Sequence, residues 1–296
     1  MEYRTISIDT LCGLFGKSKQ AYYKHKRHTI SDIDMEAEAL KIVHYYRSLM
    51  PIVSCTKLYD ITKDIMGSTL RLGRDRFLDL MRKNDLIIKP RNPRHTTHSD
   101  HIYFKYPNRI KGLDISHVNQ VWVADITYIY LQGGESCYLH LITDYYSRAI
   151  IGYVVSPTLH ARYTIQALDQ AITNAGGGNL CGTIHHSDRG VQYASDAYTT
   201  LLKDHNILSS MCEDYNPTDN AVAERVNGIL KTEWIYLLPV MANIEEAKAK
   251  IDKIIDTYNN VRPHLSLQKR TPMSVYLDDP EITPSARWYN DLEAFA

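Results

Sequence analysis

What most constrains this chain is a change of texture at Asn119. Three runs rich in β-branched and aromatic residues, VWVADITYIYL, SCYLHLITDYY and AIIGYVVS, follow one another with only Gly-Gly and Ser-Arg breaks between them. Such residues suit a pleated, half-buried surface, so the pattern predicts three consecutive strands joined by short turns. ARYTIQALDQAITNA then has helical spacing and stops at Gly176, Gly177 and Gly178. GTIHHSD reads as a short strand, the stretch 195–204 as a helix and LSSMC as another strand. Two longer helical patterns cover about 220–238 and 244–259. A strand meander followed by alternating helices and strands predicts an α/β layer around a mixed sheet.

The residues before that boundary read differently. ISIDTLCGLFG and KSKQAYYKHKRH predict two short helices around a Gly-containing turn, either a helix-turn-helix or a helical hairpin with no nucleic-acid role. A second helical block covers about 35–84, with breaks near Pro51 and from Gly67 to Gly73. Its last helix places Phe77, Leu80 and Met81 on one face and Arg74, Arg82 and Lys83 largely elsewhere. Between Thr69 and Gly112 there are eleven Lys or Arg residues and four acids, among them Lys89, Arg91 and Arg94. This basic stretch is expected to neutralise phosphates and to bind DNA with strong salt dependence; a solvated basic linker is the alternative.

The zero formal net charge hides this asymmetry. Residues 1–112 carry 21 basic and 12 acidic side chains, a net of +9, and residues 113–296 carry a net of −9. The split suggests a basic part that meets a polyanion and an acidic part that holds cations. Five cysteines without a CxxC pair speak against a zinc knuckle and for a reducing compartment. No apolar run reaches the ~18 to 20 residues of a membrane span, so a cytoplasmic protein is expected.

Three acids stand where folding alone explains a carboxylate poorly. Asp125 interrupts an apolar strand, where burial penalises a charge that lacks donors or a cation. Asp188 ends the strand GTIHH, at the position where open α/β sheets place functional residues. Glu224 lies in a helix whose Val222, Val226 and Ile229 form one face, while Glu224 and Lys231 fall together on the opposite one. Taken singly, each has an ordinary reading as a core group, a turn former or a solvated helix residue. Asp188 and Glu224 are, however, separated by 35 residues, with another acid upstream in a strand. Asp144 in LITDYYSR competes as a turn or supporting acid, and Glu233 falls close to the apolar stripe. His186 and Ser187 stand beside Asp188, while Asp219 and Asn220 sit where a helix cap is expected.

WVADITYI, HHSDRGVQY, DNAVAERVNGILKTE and YNNVRPHLSLQKRTP, in this order, resemble the signatures of insertion-sequence transposases of the IS-three family, OrfB type. The resemblance runs from the N-terminal helical segments to about residue 276. It implies an RNase H-like, integrase-type catalytic core over about 119–276, after an all-α DNA-binding region. The implied organisation is a helix-turn-helix-like segment at 1–30, a basic DNA-binding region and linker at 31–112, the core at 113–280 and a tail at 281–296. The family's catalytic triad falls on Asp125, Asp188 and Glu224.

The implied activity is cleavage of the element's ends and joining of the freed 3′-hydroxyl to target DNA. The implied cofactor is Mg²⁺ or Mn²⁺, two ions ~3.5 to 4 Å apart, as suits in-line phosphoryl transfer between hard oxygen ligands. Asp125 would bridge the ions, with Asp188 and Glu224 completing one side each. Lys231 and Arg262 are the candidate DNA contacts near the site, and Arg74, Arg82, Lys83, Lys89, Arg91 and Arg94 the upstream ones. Implied partners are the terminal repeats, target DNA, further copies of the chain on DNA, and an upstream-frame helix-turn-helix product. The setting would be a bacterial cytoplasm, on the nucleoid. Two rivals remain: an RNase H-like nuclease that cuts without joining, and a non-catalytic DNA-binding regulator.

Overall fold

The computed structural model describes residues 6–88, 106–177, 180–213 and 220–278. The chain divides into two compact units, Met1–Arg91 and Asn92–Ala296. In the first, α1 (Ile8–Leu14) and α2 (Lys19–Leu49) are two successive helices on either side of a Gly-containing turn, each begun by a serine whose hydroxyl accepts from a first-turn amide. The second helix is much longer than the sequence suggests. Nothing in its sequence breaks it before Pro51, so it runs straight through the segment boundary expected at 30/31. α3 (Cys55–Met66) and α4 (Arg74–Lys83) complete the unit. Phe77, Leu80 and Met81 are buried as their spacing predicts, with Val43, Met50 and Leu58 in the same core set. α1 contributes little, since Leu11, Leu14 and Phe15 remain exposed and only Cys12 is buried.

The second unit is built on the three predicted strands, β1 (Val121–Tyr130), β2 (Ser136–Asp144) and β3 (Ile150–Ser156), which pair antiparallel in sequence. After α5 (Ala161–Asn174) the chain crosses to β4 (Ile184–Ser187), which pairs parallel to β1. α6 (Asp196–Asp204) leads to β5 (Leu208–Met211), parallel to β4, and the strand order is β3-β2-β1-β4-β5. β1 is therefore central, and it is the strand that changes the sheet from antiparallel to parallel.

Alternation along β1 divides its side chains between two layers. Trp122 and Ala124 join Ile142, Ile151, Ala167, Leu168, Tyr198 and Leu202 in the larger core. α5 lies so close over β3 that a Cβ on Gly152 would come within 2.1 Å of the Ala167 carbonyl oxygen. Val121 and Val123 point the other way, and with Ile184 they pack on Ala223 of α7 (Ala221–Glu233). α8 (Ile244–Asp256) is capped by Asn243, which accepts from the Glu246 amide at 2.9 Å, while Glu246 accepts from the amide of Ala242, one residue before the cap, at 2.6 Å. It runs on into a π-helical turn, Thr257–Val261, before the short α9 (Pro272–Tyr276). A mixed five-stranded sheet between helical layers, preceded by an all-α unit, is the RNase H-like architecture that the motifs imply. Among the described residues no helix is long and apolar enough to cross a membrane.

Candidate active site

The parallel ladder between β1 and β4 ends at the pair Ala124 and Ser187. One residue further on each strand stand Asp125 and Asp188, side by side where the two strands part. The juxtaposition is a matter of register, and a shift of either strand would destroy it. Asp125 shares its face with Val121 and Val123, so it points toward α7. Its Oδ1 accepts from the Ile126 amide at 2.9 Å and its Oδ2 from Asn227 Nδ2 at 2.6 Å. Burial, reinforced by the charge of Asp188, pushes the Asp125 carboxyl up to about 7, against the opposing pull of Asn227, the Ile126 amide and Lys231.

Asp188 is fixed by the turn that follows it. Its Oδ1 accepts from the Gly190 amide at 2.9 Å. A Cβ on Gly190 would sit 2.9 Å from that same oxygen, so any larger residue there would displace the Asp188 carboxylate. Ser187 donates to the Asp188 carbonyl oxygen, while His186 is buried and bonded to Ser210 Oγ at 2.8 Å and Cys212 Sγ at 3.4 Å. His186 is therefore a structural group.

α7 brings the remaining candidates. Asn220, expected to cap it, instead donates from Nδ2 to the Ala124 carbonyl oxygen at 3.1 Å and so ties the helix start to the site's own strand. Asn227 binds Asp125, and Lys231 feels the charge of Asp125, which partly offsets the lowering of its pKa by burial. Glu224 lies three residues before Asn227 and seven before Lys231, on the helix face that reaches Asp125. Its own carboxyl is exposed, with its pKa raised by partial burial. Among the described residues no group of three or more His, Cys, Asp or Glu side chains is placed to hold a metal ion. The structure thus brings the two aspartates together, while Glu224, on α7, keeps its carboxylate exposed and outside the pair.

Other sequence candidates take different places. Asp144 is fully buried and serves the β2–β3 turn, accepting from the Ser147 amide and hydroxyl at 2.7 and 2.6 Å and from the Asn119 amide at 2.7 Å. Arg262, expected to meet the DNA backbone, is 4% exposed and forks onto Glu233 at 2.7 and 2.6 Å, with His264 Nε2 a further 2.9 Å partner. A guanidinium so committed has no free edge for a phosphate, and it also explains why Glu233 is unavailable to a metal. The surrounding YNNVRPH word is a tie: Tyr258 donates to the Arg148 carbonyl oxygen, and the Asn259 amide group bonds both the N–H and the C=O of Ile150 at 2.9 Å. Arg74 and Arg82 are exposed on α4 beside Asp75 and Asp79, and Lys83 is exposed at its end. Lys89, Arg91, Arg94 and Asp219 lie outside the described residues.

Sequence reasoning passed over Asn227, which binds Asp125, and Gly190, whose amide binds Asp188. Asn227 had a legible signal, because it stands between Glu224 and Lys231 on their helix face. Gly190 became visible only once the turn after β4 had closed around Asp188.

Residues 116–217 match a family model described as an integrase core domain, and residues 205–272 match a second with the same description. Over 268 residues the chain is 31% identical to the insertion element IS600 uncharacterized 31 kDa protein of Shigella sonnei, covering 88% of this chain and 96% of that protein. Over 274 residues it is 30% identical to the transposase for insertion sequence element IS904 of Lactococcus lactis, covering 84% and 96%. Among solved structures, the HTLV-2 integrase catalytic core in complex with magnesium aligns with a TM-score of 0.41 at 21% identity, over 54% of this chain and 97% of that one.

Proposed function

This chain belongs to the insertion-sequence transposases with an integrase core, and we propose that its polynucleotidyl transfer takes place at Asp125, Asp188 and Glu224. The observation that carries this reading is the end of the β1–β4 ladder, which sets two carboxylates side by side and leaves them mutually repelled. A fold that holds like charges together calls for a counter-charge. The donor set suits a hard divalent ion such as Mg²⁺ or Mn²⁺, since it comprises carboxylates and, beside Asp125, the Oδ1 of Asn227, buried and without a hydrogen-bond partner.

Asp125, Asp188 and Glu224 would together hold the divalent metal. Glu224 would join the pair by a change of side-chain rotamer on α7, leaving the Asn220 and Asn227 contacts in place. Bound there, the metal would lower the pKa of the attacking hydroxyl and offset charge at the phosphorus. The chain's own residues do the placing. Asn227 fixes the orientation of the Asp125 carboxylate, the Gly190 amide fixes Asp188, and Lys231 faces the cleft as a contact for a DNA phosphate. In cleavage, water oxygen bonds to phosphorus as the bond to the 3′-oxygen of the element breaks, and that oxygen leaves as a hydroxyl. In joining, this 3′-hydroxyl oxygen bonds to a target phosphorus and the target's own P–O bond breaks, so the number of phosphodiester bonds is conserved.

We assign end-DNA binding to the α1–α2 segment and the basic stretch of 31–112, with Arg74, Arg82, Lys83, Lys89, Arg91 and Arg94 as phosphate contacts. Catalysis belongs to 113–280, and 281–296 is a tail. Further copies of the chain on DNA, an upstream-frame helix-turn-helix product and bacterial nucleoid DNA are the partners and setting this reading carries. The test is incubation of labelled element-end duplex with Mg²⁺ or Mn²⁺, comparing the intact chain with Asp188→Asn. The reading predicts cleaved and joined products from the former only. Cleavage without joining would identify a nuclease instead, and equal activity of both proteins would remove Asp188 from the chemistry.

A further inference from the structure

Six buried side-chain polar atoms among the described residues have no hydrogen-bond partner, and three of them belong to residues around the acid pair: Asn220 Oδ1, Asn227 Oδ1 and the hydroxyl of Tyr193. The two asparagines already spend their amide N–H groups on β1. Tyr193 is different, because its hydroxyl is the only polar atom of its side chain.

The ring's position is well explained. Tyr193 is 3% exposed, its amide donates to the Gly190 carbonyl oxygen at 3.0 Å, and it closes the turn that holds Asp188. Its ring packs at 5.6 Å from the Tyr198 ring and 6.1 Å from the His185 ring. Its Cδ2 approaches within 3.3 Å of the point where a Gly190 Cβ would sit, a point 2.9 Å from Asp188 Oδ1. The hydroxyl is unexplained by packing. Tyr198 and His185 bond each other at 2.8 Å, so the nearby imidazole Nε2 is already taken. A phenylalanine would fill the same space without stranding a buried hydroxyl, which is costly when left unmatched. Burial, with smaller contributions from the charges of Asp188 and Asp125 and from Tyr198, raises the pKa of the phenol well above its ordinary value. Tyr193 thus places a buried phenol hydroxyl without a partner within electrostatic reach of two carboxylates. Native proteins commonly satisfy such a group with an ordered water shared among polar neighbours.

We propose that Tyr193 is a positioning residue of the acid site, its phenol hydroxyl donating a hydrogen bond to a water that the Asp125 and Asp188 carboxylates also hold. Its action is through that water on the orientation of the pair, and it rests on the reading that the pair is the active site. The ring is a wedge for the Asp188 turn, and the hydroxyl is the part that serves the chemistry.

The experiment compares wild type, Tyr193→Phe and Asp188→Asn in the full chain. Four quantities are read: single-turnover cleavage of a duplex carrying the element's terminal repeat, Mn²⁺ affinity by calorimetric titration without DNA, duplex affinity at fixed salt, and melting temperature. Tyr193→Phe is expected to cleave about tenfold more slowly, as the loss of one hydrogen bond implies. It should also bind Mn²⁺ several-fold more weakly, with duplex affinity unchanged and melting temperature unchanged or raised. Wild-type cleavage and Mn²⁺ affinity in Tyr193→Phe, with Asp188→Asn inactive, would overturn the role of the hydroxyl and leave the active-site reading standing. Full activity of Asp188→Asn would overturn both. Slower cleavage accompanied by parallel losses of melting temperature and duplex affinity would make the hydroxyl a folding group and also overturn the proposal.

Discussion

Asp144 and Asp125 are two acids on neighbouring strands of one sheet, and burial raises both, to about 6 and about 7. Their surroundings diverge completely. Asp144 meets three donors from Ser147 and Asn119 and no second carboxylate, so the chain itself supplies what its charge needs. Asp125 meets two donors and the charge of Asp188, with a stranded Asn227 oxygen alongside. A raised carboxyl therefore does not mark an active site. What marks it is a charge that folding has left uncompensated next to another of the same sign.

The contrast is most exposed to breaking by substitution at the acids themselves. Asp125→Asn, Asp188→Asn and Glu224→Gln are each expected to reduce cleavage and joining by on the order of 10³-fold or more, as loss of a charge-stabilising group does. Binding of end DNA should persist, as gel shift at fixed salt will report. Asp144→Ala is expected to do the reverse. It should lower unfolding free energy by roughly 4 kcal/mol, because it strands the Asn119 and Ser147 amides, while specific activity of the folded fraction stays near wild type. Urea denaturation paired with the cleavage assay separates the two outcomes.

Arg262→Met sharpens the same distinction for a base. Leaving the half-buried Glu233 without its partner should cost about 2 kcal/mol, and Arg262→Met combined with Glu233→Met should recover much of that. Neither change should alter the salt dependence of DNA binding, since Arg262 is turned inward.

The effect of pH is smaller and has a definite sign. Both aspartates have folded-state pKa values above the ordinary 3.8, so between that pH and about 7 the folded chain holds more protons than the unfolded one. Stability must therefore fall as pH rises through this window. Asp125→Asn should flatten the upper part of the fall, up to about 7, and Asp144→Asn the part below about 6. Millimolar Mg²⁺ should restore melting temperature near neutral pH in wild type but not in Asp125→Asn, because the ion takes the place of the proton. Smallest of all, Arg74→Ala or Lys83→Ala should each weaken duplex binding modestly and lower the slope of log affinity against log salt by about 1.

Much of the core was legible because its signals are local. Strand composition located β1 to β3, and Gly-rich stops located the end of α5. Chain order then placed Asp125 and Asp188 on strands whose parallel pairing brings them together. The sequence was misleading where long-range partners decide. Arg262 looked like a DNA contact because the YNNVRPH word sits at a helix exit, yet Glu233, 29 residues earlier, claims both edges of its guanidinium. Asn220 stands at the N-cap position as its sequence suggests, yet its Oδ1 caps no amide, because the side chain is held by its Nδ2 donation to the Ala124 carbonyl oxygen. α2 looked like two segments because composition changes within it, although nothing in its backbone chemistry requires a break. Glu224 lies on α7 as its periodicity predicts, but its carboxylate is exposed, and a helical wheel carries no information on the rotamer at its end.

That rotamer is where the account is most directly tested. Crystals of the chain soaked in Mn²⁺ and measured at the manganese absorption edge should give anomalous peaks in contact with Asp125 and Asp188, with the Glu224 carboxylate swung from solvent to join them. Manganese bound away from this pair, or seated on the two aspartates with Glu224 still pointing outward in wild type bound to element-end DNA, would contradict the claim that the three acids act as one site.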